Sequence, residues 1–216
     1  MIVDERITAY INSLERELPT ILKGIEETAL KEGVPIIRKE TQSFLRTLLS
    51  IKKPKHILEV GAAVGFSSLF MSEYVSSDCS ITTIEKMEVR IEKAKANFKS
   101  AGKEDRITLL EGDAMEVLKE LVDAGKTYDF IFMDAAKAQY IYYLPEILKL
   151  LSKEGMLVTD NVLQDGTVAQ SKFGVIRRDR TIHYRMREYL YQLTHMEEFE
   201  TSIIPVGDGV SLSILL

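Results

Sequence analysis

The sequence predicts an α/β protein with an open, doubly wound sheet, because apolar segments of strand length alternate with helical segments along most of the chain. The last two apolar segments, 199–206 and 209–216, meet at a Gly-Asp-Gly turn and predict an antiparallel hairpin. Five earlier runs have the composition of strands buried on both faces. They span 55–62, 80–85, 106–113, 128–135 and 155–161. We therefore expect seven strands with helices on both faces of the sheet.

Helices between these strands are predicted from apolar residues at helical spacing. Gly102 ends the second of them, and Pro145 lies inside or near the fourth. The five predicted helices cover 67–74, 87–102, 114–125, 139–151 and 179–196.

The N-terminal part of the chain is predicted to be helical. Residues 4–32 form two short helices separated by Pro19, and a third helix covers 39–51. The apolar residues of the first helix recur at helical spacing, at Ile7, Tyr10, Ile11 and Leu14. We expect one domain in which residues 1–53 are an N-terminal helical extension and residues 54–216 form the core.

Composition excludes several classes of protein. The single cysteine, Cys79, excludes a disulfide framework and a Cys-based zinc site, and it favours a reducing, cytoplasmic setting. No apolar run approaches the roughly 20 residues that span a bilayer, and the N-terminus lacks the charged and apolar regions of a signal peptide. The net charge of −5 argues against polyanion binding by the whole surface but is compatible with a local basic patch.

Ligands of doubly wound sheets bind at the carboxyl ends of the strands. The first strand ends in EVGAAVG, which contains Glu59, Gly61 and Gly65. Alone, such a glycine pair is equally compatible with a plain turn. Its spacing differs from Gly-x-Gly-x-x-Gly, which argues against a nicotinamide dehydrogenase. The second strand ends in Glu85, where an acidic residue typically binds the hydroxyls of a ribose, and Asp113 ends the third, where an adenine could be read.

Asp134 ends the fourth strand and Asp160-Asn161 ends the fifth. Three such oxygen side chains can converge on Mg²⁺, which prefers hard oxygen ligands, and the absence of neighbouring Cys or His disfavours a soft metal. The alternative is that both aspartates cap helices. Lys137 follows one turn later, where the N-terminus of a helix is unfavourable for a cation. Its alternative is an exposed surface lysine.

These motifs together resemble the cation-dependent O-methyltransferase family, which includes the catechol and caffeoyl-CoA enzymes. The resemblance runs from about Ile36 to Leu216 and is carried by ILEVGAAVGFSSL, LLEGDA and DFIFMDAAKAQY. It implies a Rossmann-like class I methyltransferase fold, an S-adenosylmethionine cofactor, Mg²⁺ or another divalent cation such as Mn²⁺, and a homodimer. In the family pattern Lys137 is the general base, acting beside Asp134. The implied metal ligands are Asp134, Asp160 and Asn161.

The resemblance also implies the cofactor contacts. Glu85 would bind the ribose, Asp113 and Ala114 would border the adenine, and Ile37 would lie over the methionine end. The full implied set is Ile37, Glu59, Gly61, Gly65, Ser67, Glu85, Gly112, Asp113, Ala114 and Asp134.

A basic segment follows the fifth strand. Residues 172–188 contain six basic and two acidic residues, a local charge of +4, with Phe173, His183 and Tyr184 interleaved. Arginines between aromatic residues suit phosphate contacts and base stacking, although a solvated helix face explains the composition equally well. The candidate contacts are Arg177, Arg178 and Arg180.

The basic segment RRDRTIHYRMREY and the stretch VPIIRKETQSFLRTLLSIKKPKHILEVG resemble the bacterial branch that methylates 5-hydroxyuridine at the tRNA wobble position. The resemblance therefore implies a tRNA anticodon loop as partner and 5-methoxyuridine as product. The 5-hydroxyl and the C4 carbonyl of that base are adjacent oxygens, so they could chelate Mg²⁺ as a catechol does. Ala136 replaces the aromatic residue of catechol enzymes, which leaves room for a larger acceptor. The alternatives are a small catechol-like phenol as acceptor and, in a different class, a non-catalytic nucleotide-binding module.

Overall fold

A computed structural model describes residues 2–216, and in that part of the chain seven strands form one sheet. The strands are β1 (His56–Val60), β2 (Ser80–Glu85), β3 (Ile107–Glu111), β4 (Tyr128–Met133), β5 (Leu151–Thr159), β6 (Phe199–Ile204) and β7 (Val210–Leu215). The helices are α1 (Glu5–Ser13), α2 (Thr20–Lys31), α3 (Lys39–Lys52), α4 (Phe66–Tyr74), α5 (Glu88–Ser100), α6 (Ala114–Asp123), α7 (Tyr140–Leu150) and α8 (Arg180–His195).

The strand order is β3-β2-β1-β4-β5-β7-β6. The first five strands pair in parallel, whereas β7 pairs antiparallel with both β5 and β6. The order reverses between β1 and β4, so a crevice opens at their carboxyl ends, where ligands of such sheets bind. The predicted seven-stranded Rossmann-like fold with a C-terminal antiparallel hairpin is confirmed.

Both faces of the sheet are buried, which explains the continuous apolar runs in the sequence. Along β4, Phe130 and Phe132 belong to a core shared with α3 and α4, whereas Ile131 and Met133 belong to a second core under α6, α7 and α8. Side chains of a strand alternate between its two faces, so a strand covered on both sides needs apolar residues at every position.

Four of the five parallel strands end two residues earlier than predicted on the side of the crevice, whereas β2 ends at Glu85 as predicted. β4 ends at Met133 and β5 at Thr159, two residues before each predicted end. Asn161 has a φ of 61°, a left-handed conformation that cannot continue a strand. Asp134 and Asp160 therefore lie in turns beyond the sheet. β5 also begins earlier than predicted, at Leu151, because a register shift beside Tyr128 lets the strand pair before Gly155.

The N-terminal helices form as predicted, with Pro19 at the start of α2. The apolar face of α1 is not covered by residues 2–216, since Ile7, Tyr10 and Leu14 are exposed. Pro145 lies inside α7. None of the described helices is long and apolar enough to cross a membrane.

Gly65 begins α4 at a φ of 78°, and a β-carbon there would overlap the ring of Phe98. We expect Gly65→Ala to lower the free energy of unfolding by about 2–4 kcal/mol, because it adds left-handed strain to overpacking. Urea denaturation measures this. The control is Gly24→Ala in α2, where no atom lies within 4 Å, and this change should stabilise the protein by about 0.5–1 kcal/mol. Equal stability of the two variants would contradict the tight packing and left-handed conformation assigned to Gly65.

Candidate active site

A cavity of about 730 Å³ opens at the carboxyl ends of β1, β2, β4 and β5. This volume is in the range of small-molecule sites. The structure brings most of the predicted cofactor and metal residues together on its wall. Those that line it are Ile37, Gly61, Ser67, Glu85, Gly112, Asp113, Ala114, Asp134, Lys137, Asp160 and Asn161.

The carboxylate of Glu85 is held by backbone amides at the end of β2. One oxygen accepts from the N–H of Ala63, at 2.9 Å, and the other accepts from Lys86 and Met87, both at 2.9 Å. A carboxylate has about four acceptor sites, so in this conformation one remains for a ligand hydroxyl. The carboxylate is thus fixed in the cavity wall and ready to accept a hydrogen bond.

Gly61 is required by the packing of the sheet. Its φ is 106°, and a β-carbon would overlap the carbonyl oxygen of Asp134. The turn after β1 therefore lies directly against the backbone that carries the first aspartate of the cavity. This glycine is needed to bring the two strand ends close together, whatever ligand the cavity holds.

Two predicted cofactor residues, Glu59 and Gly65, do not line the cavity, and a direct contact of either with the cofactor stays a prediction. Glu59 is fully buried behind the wall, where the hydroxyls of Ser68 and Thr83 donate to it. At Gly65, the ring of Phe98 fills the space that a β-carbon would take. Burial raises the pKa of Glu59 to about 7, against the effect of the hydroxyl donors. Both residues act on the wall from behind, because strand and helix packing turn them away from the crevice.

Asp134 and Asp160 face each other across the ends of β4 and β5. Burial raises the pKa of Asp134 to about 6, and the charge of Lys137 opposes that shift. Burial and then the charge of Asp134 raise the pKa of Asp160 to about 8. The positive charge of Lys137 is therefore too small to offset the cost of ionising both carboxyl groups. A site with such excess negative charge fits a divalent cation.

The capping alternative is excluded by the geometry. The N-cap of the short 3₁₀ helix after β4 is Ala136, and that of the one after β5 is Leu163, so neither aspartate occupies an N-cap. Oδ1 of Asp160 accepts instead from the N–H of Asn161, at 2.8 Å. Among residues 2–216, no group of three or more His, Cys, Asp and Glu side chains is arranged to hold a metal. A cation would therefore depend on two carboxylates and one amide.

Asp208 is a member of the site that sequence reasoning missed. It lies in the turn between β6 and β7 and lines the cavity, and its Oδ2 accepts from Nδ2 of Asn161 at 3.4 Å. This contact assigns Oδ1 as the end of the Asn161 amide that can bind a cation. Arg38 in turn ion-pairs with Asp208, at 2.9 Å, and with Asp165, at 3.3 Å. The sequence shows the hairpin but not its pairing with β5, which brings the turn of Asp208 to the cavity.

Lys137 lines the cavity from a one-turn 3₁₀ helix, Lys137–Gln139, that leads into α7. The pKa values of Asp134, Asp160 and Asp208 are all raised by burial, and the charge of Lys137 opposes the rise in each. The lysine thus lies near all three carboxylates of the cavity. This is a suitable place for a group that removes a proton from a bound ligand.

The basic segment lies outside the cavity. Arg177, Arg178 and Arg180 are exposed around the start of α8. Phe173 is 80% exposed and Tyr184 is 64% exposed, so both can stack on a base. The predicted stacking of His183 is wrong. It is 4% exposed, and its ring bonds to the carbonyl of Gln170 because it faces the core side of α8.

Comparison with known proteins identifies the family. A family model described as O-methyltransferase matches residues 12–215. The chain belongs to this family. It is 32% identical over 201 residues to the caffeoyl-CoA O-methyltransferase of Populus kitakamiensis, which covers 88% of this chain and 84% of the relative. Among solved structures, a putative caffeoyl-CoA O-methyltransferase from Staphylococcus aureus has a TM-score of 0.89 and 31% identity, covering 99% of this chain and 100% of that one.

A second structure, the SAH-bound methyltransferase PaMTH1 of Podospora anserina, has a TM-score of 0.88 and 26% identity, covering 98% of this chain and 94% of that one. The prediction of an S-adenosylmethionine-dependent O-methyltransferase is thus confirmed for the family. The acceptor, the metal and the homodimer stay predictions.

The carboxylate pair makes the stability of this O-methyltransferase depend on pH. With a chelator present to remove divalent cations, we expect the free energy of unfolding to fall as the pH rises from about 4 to about 8. In that window the folded protein, whose aspartate pKa values are raised from 3.8, holds protons that the unfolded chain has lost. A tenfold difference in proton affinity between the folded and unfolded states corresponds to about 1.4 kcal/mol. Urea denaturation at pH 5 and pH 8 measures the slope.

The double variant Asp134→Asn, Asp160→Asn should flatten this slope, leaving the contribution of Glu59. The control is Asp123→Asn at the exposed end of α6, which should keep the wild-type slope. A wild-type slope in the double variant would show that the cavity aspartates titrate normally.

Proposed function

We propose that the protein transfers the methyl group of S-adenosylmethionine to a hydroxyl of an acceptor that presents two adjacent oxygens to a divalent cation, Mg²⁺ or Mn²⁺. The observation that carries this proposal is the pair formed by half-buried Asp134 and buried Asp160, next to Asn161 and Lys137, in one cavity with Glu85. A buried excess of negative charge beside a lysine suits a cation and an ionising hydroxyl.

The cofactor would occupy the side of the cavity formed by β1, β2 and β3. The fixed carboxylate of Glu85 would accept a ribose hydroxyl, and Asp113 and Ala114 would border the adenine at the start of α6. Ile37 and Ser67 would lie along the methionine part. This arrangement points the sulfonium towards Asp134 and Lys137, since these residues line the opposite side of the same cavity.

A bound cation, held by Asp134, Asp160 and Asn161, would stabilise the oxyanion that develops on the acceptor. Lys137 would take the proton of the hydroxyl. The acceptor oxygen then forms a bond to the methyl carbon while the carbon–sulfur bond breaks, which leaves S-adenosylhomocysteine. This displacement needs oxygen, carbon and sulfur in line, so positioning by the cavity wall supplies much of the rate.

We propose 5-hydroxyuridine at the tRNA wobble position as the acceptor, with 5-methoxyuridine as product. Exposed Arg177, Arg178 and Arg180 can contact phosphates, and exposed Phe173 and Tyr184 can stack on neighbouring bases. An anticodon loop presents such unstacked bases. The rival acceptor is a small catechol-like phenol, which is favoured by the caffeoyl-CoA enzymes among the relatives.

Nucleoside analysis of tRNA tests the reaction directly. In cells that lack this protein, mass spectrometry should find 5-hydroxyuridine accumulated and 5-methoxyuridine lost. The wild-type gene should restore 5-methoxyuridine. Asp160→Ala should not, although the purified variant should still bind S-adenosylmethionine, since Asp160 lies on the acceptor side. Restoration by Asp160→Ala would favour a non-catalytic nucleotide-binding module instead, and unchanged nucleosides in the deleted cells would exclude the tRNA reaction.

The basic segment separates the two acceptors. We expect the triple change of Arg177, Arg178 and Arg180 to Ala to abolish methylation of tRNA and to leave turnover of a small catechol unchanged, because these arginines lie outside the cavity. Steady-state assays with both acceptors measure this. The control is the triple change of Lys23, Lys31 and Lys119 to Ala, which removes the same charge elsewhere on the surface. Survival of tRNA activity in the arginine variant would exclude the proposed contact.

A further inference from the structure

Arg185 differs from Arg177 and Arg178 of the basic segment. It lies on α8, is partly buried, and its guanidinium donates to the carbonyl oxygen of Ala138 at 3.2 Å. The same guanidinium lies 5.0 Å from the ring centroid of Tyr142 on α7. Arg177 and Arg178 instead project into solvent. Arg185 is therefore built into the junction of α7, α8 and the turn that carries Lys137.

The turn of Lys137 packs against α7 and α8 but is itself only partly buried. None of the three residues in Lys137–Gln139 is buried, and the preceding residue, Ala136, provides no side-chain cap. Within the turn, the N–H of Gln139 donates to the carbonyl of Ala136 at 2.7 Å. A lysine side chain is long and flexible, so the place of its amine depends on a fixed backbone. That backbone lies against α8, so its position depends on this helix.

Two side chains bond to the backbone of this turn, one just before it and one within it. The hydroxyl of Tyr140 lies 3.3 Å from the carbonyl oxygen of Ala135, before the turn. Arg185 donates to the carbonyl inside the turn, and it does so from a different helix. A charged donor on a carbonyl is stronger than a neutral one, and the ring of Tyr142 restricts where the guanidinium can go.

We infer that Arg185 is a positioning residue for Lys137 and not a contact to the acceptor. The inference rests on the proposed role of Lys137 as the base. Without the guanidinium, the Ala138 carbonyl loses its charged donor and the turn is free to shift. A misplaced base lowers the rate of the chemical step for any acceptor, whereas the loss of a phosphate contact weakens the binding of RNA alone.

The test compares kcat and KM for tRNA that contains 5-hydroxyuridine and for a small catechol, using every acceptor that the wild-type protein methylates. Arg185→Ala should lower kcat about 10-fold with each of them and change KM by less than about 2-fold. Arg185→Lys, which keeps a charged donor, should recover part of the loss. A rise in KM for tRNA with unchanged kcat would overturn the inference, because it would make Arg185 an RNA contact.

Arg187→Ala is the matched control. Arg187 lies two positions along the same helix and also donates to a loop carbonyl, that of Val168 at 3.1 Å, but it does not touch the turn of Lys137. We expect its kcat to be that of the wild type. An equal loss of kcat in Arg187→Ala and Arg185→Ala would overturn the inference, since any tie between α8 and a loop would then suffice.

A double-mutant cycle separates this inference from the proposed function. Lys137→Ala should lower kcat about 100-fold, and adding Arg185→Ala to it should cost less than about 2-fold, because the two residues act through one step. A further 10-fold loss in the double variant would overturn the inference and leave Lys137 as the base. Wild-type turnover by Lys137→Ala would instead overturn the proposed base, and the inference would fail with it.

Discussion

The crowding of two carboxylates at one edge of the sheet, half-buried Asp134 and buried Asp160, is the constraint on which the rest of this site depends. Met133 pairs with Thr159 across β4 and β5, so the next residues, Asp134 and Asp160, leave neighbouring strands that run about 4.8 Å apart. Burial raises both pKa values, and the charge of Asp134 raises that of Asp160 further. A fold keeps such an arrangement only when something else stabilises the charges. Lys137 supplies part of this stabilisation, and a divalent cation would supply the rest.

The backbone around the pair is fixed more firmly than the side chains. The N–H of Asp134 donates to the carbonyl of Val60, and the N–H of Asp160 donates to the carbonyl of Met133, so each turn continues the pattern of the sheet. The buried hydroxyl of Tyr140 lies 3.3 Å from the carbonyl of Asp160 and at the same distance from that of Ala135. One phenol thus joins both turns. Repulsion between the carboxylates is resisted by hydrogen bonds that belong to the fold, and the site is preorganised before any ligand binds.

The sequence was sufficient to predict the residues that end parallel strands, and insufficient to predict those whose place depends on tertiary packing. The apolar segments before Glu85 and Asp134 predict their strands, and the binding rule for doubly wound sheets then places both residues at the same edge. Glu59 also lies near a strand end, but alternation along the strand turns it away from the crevice into the core. Asp208 comes from the antiparallel hairpin, whose register with β5 no local pattern reveals. Arg38 reaches the site from the N-terminal helices, and only the assembled fold brings it to Asp208.

Helix α8 connects the surface of the protein to its chemistry. Its outer side carries Tyr184 and adjoins exposed arginines, whereas its inner side carries Tyr189, whose hydroxyl lies 2.7 Å from that of Thr159, the residue before Asp160. The same helix therefore contacts the strand of one cavity aspartate and, through Arg185, the turn of the lysine. If the acceptor binds the outer side as proposed, its recognition and the placement of Lys137 would depend on one helix. A change of acceptor within this fold would then require the outer side of α8 to change while its inner contacts are kept.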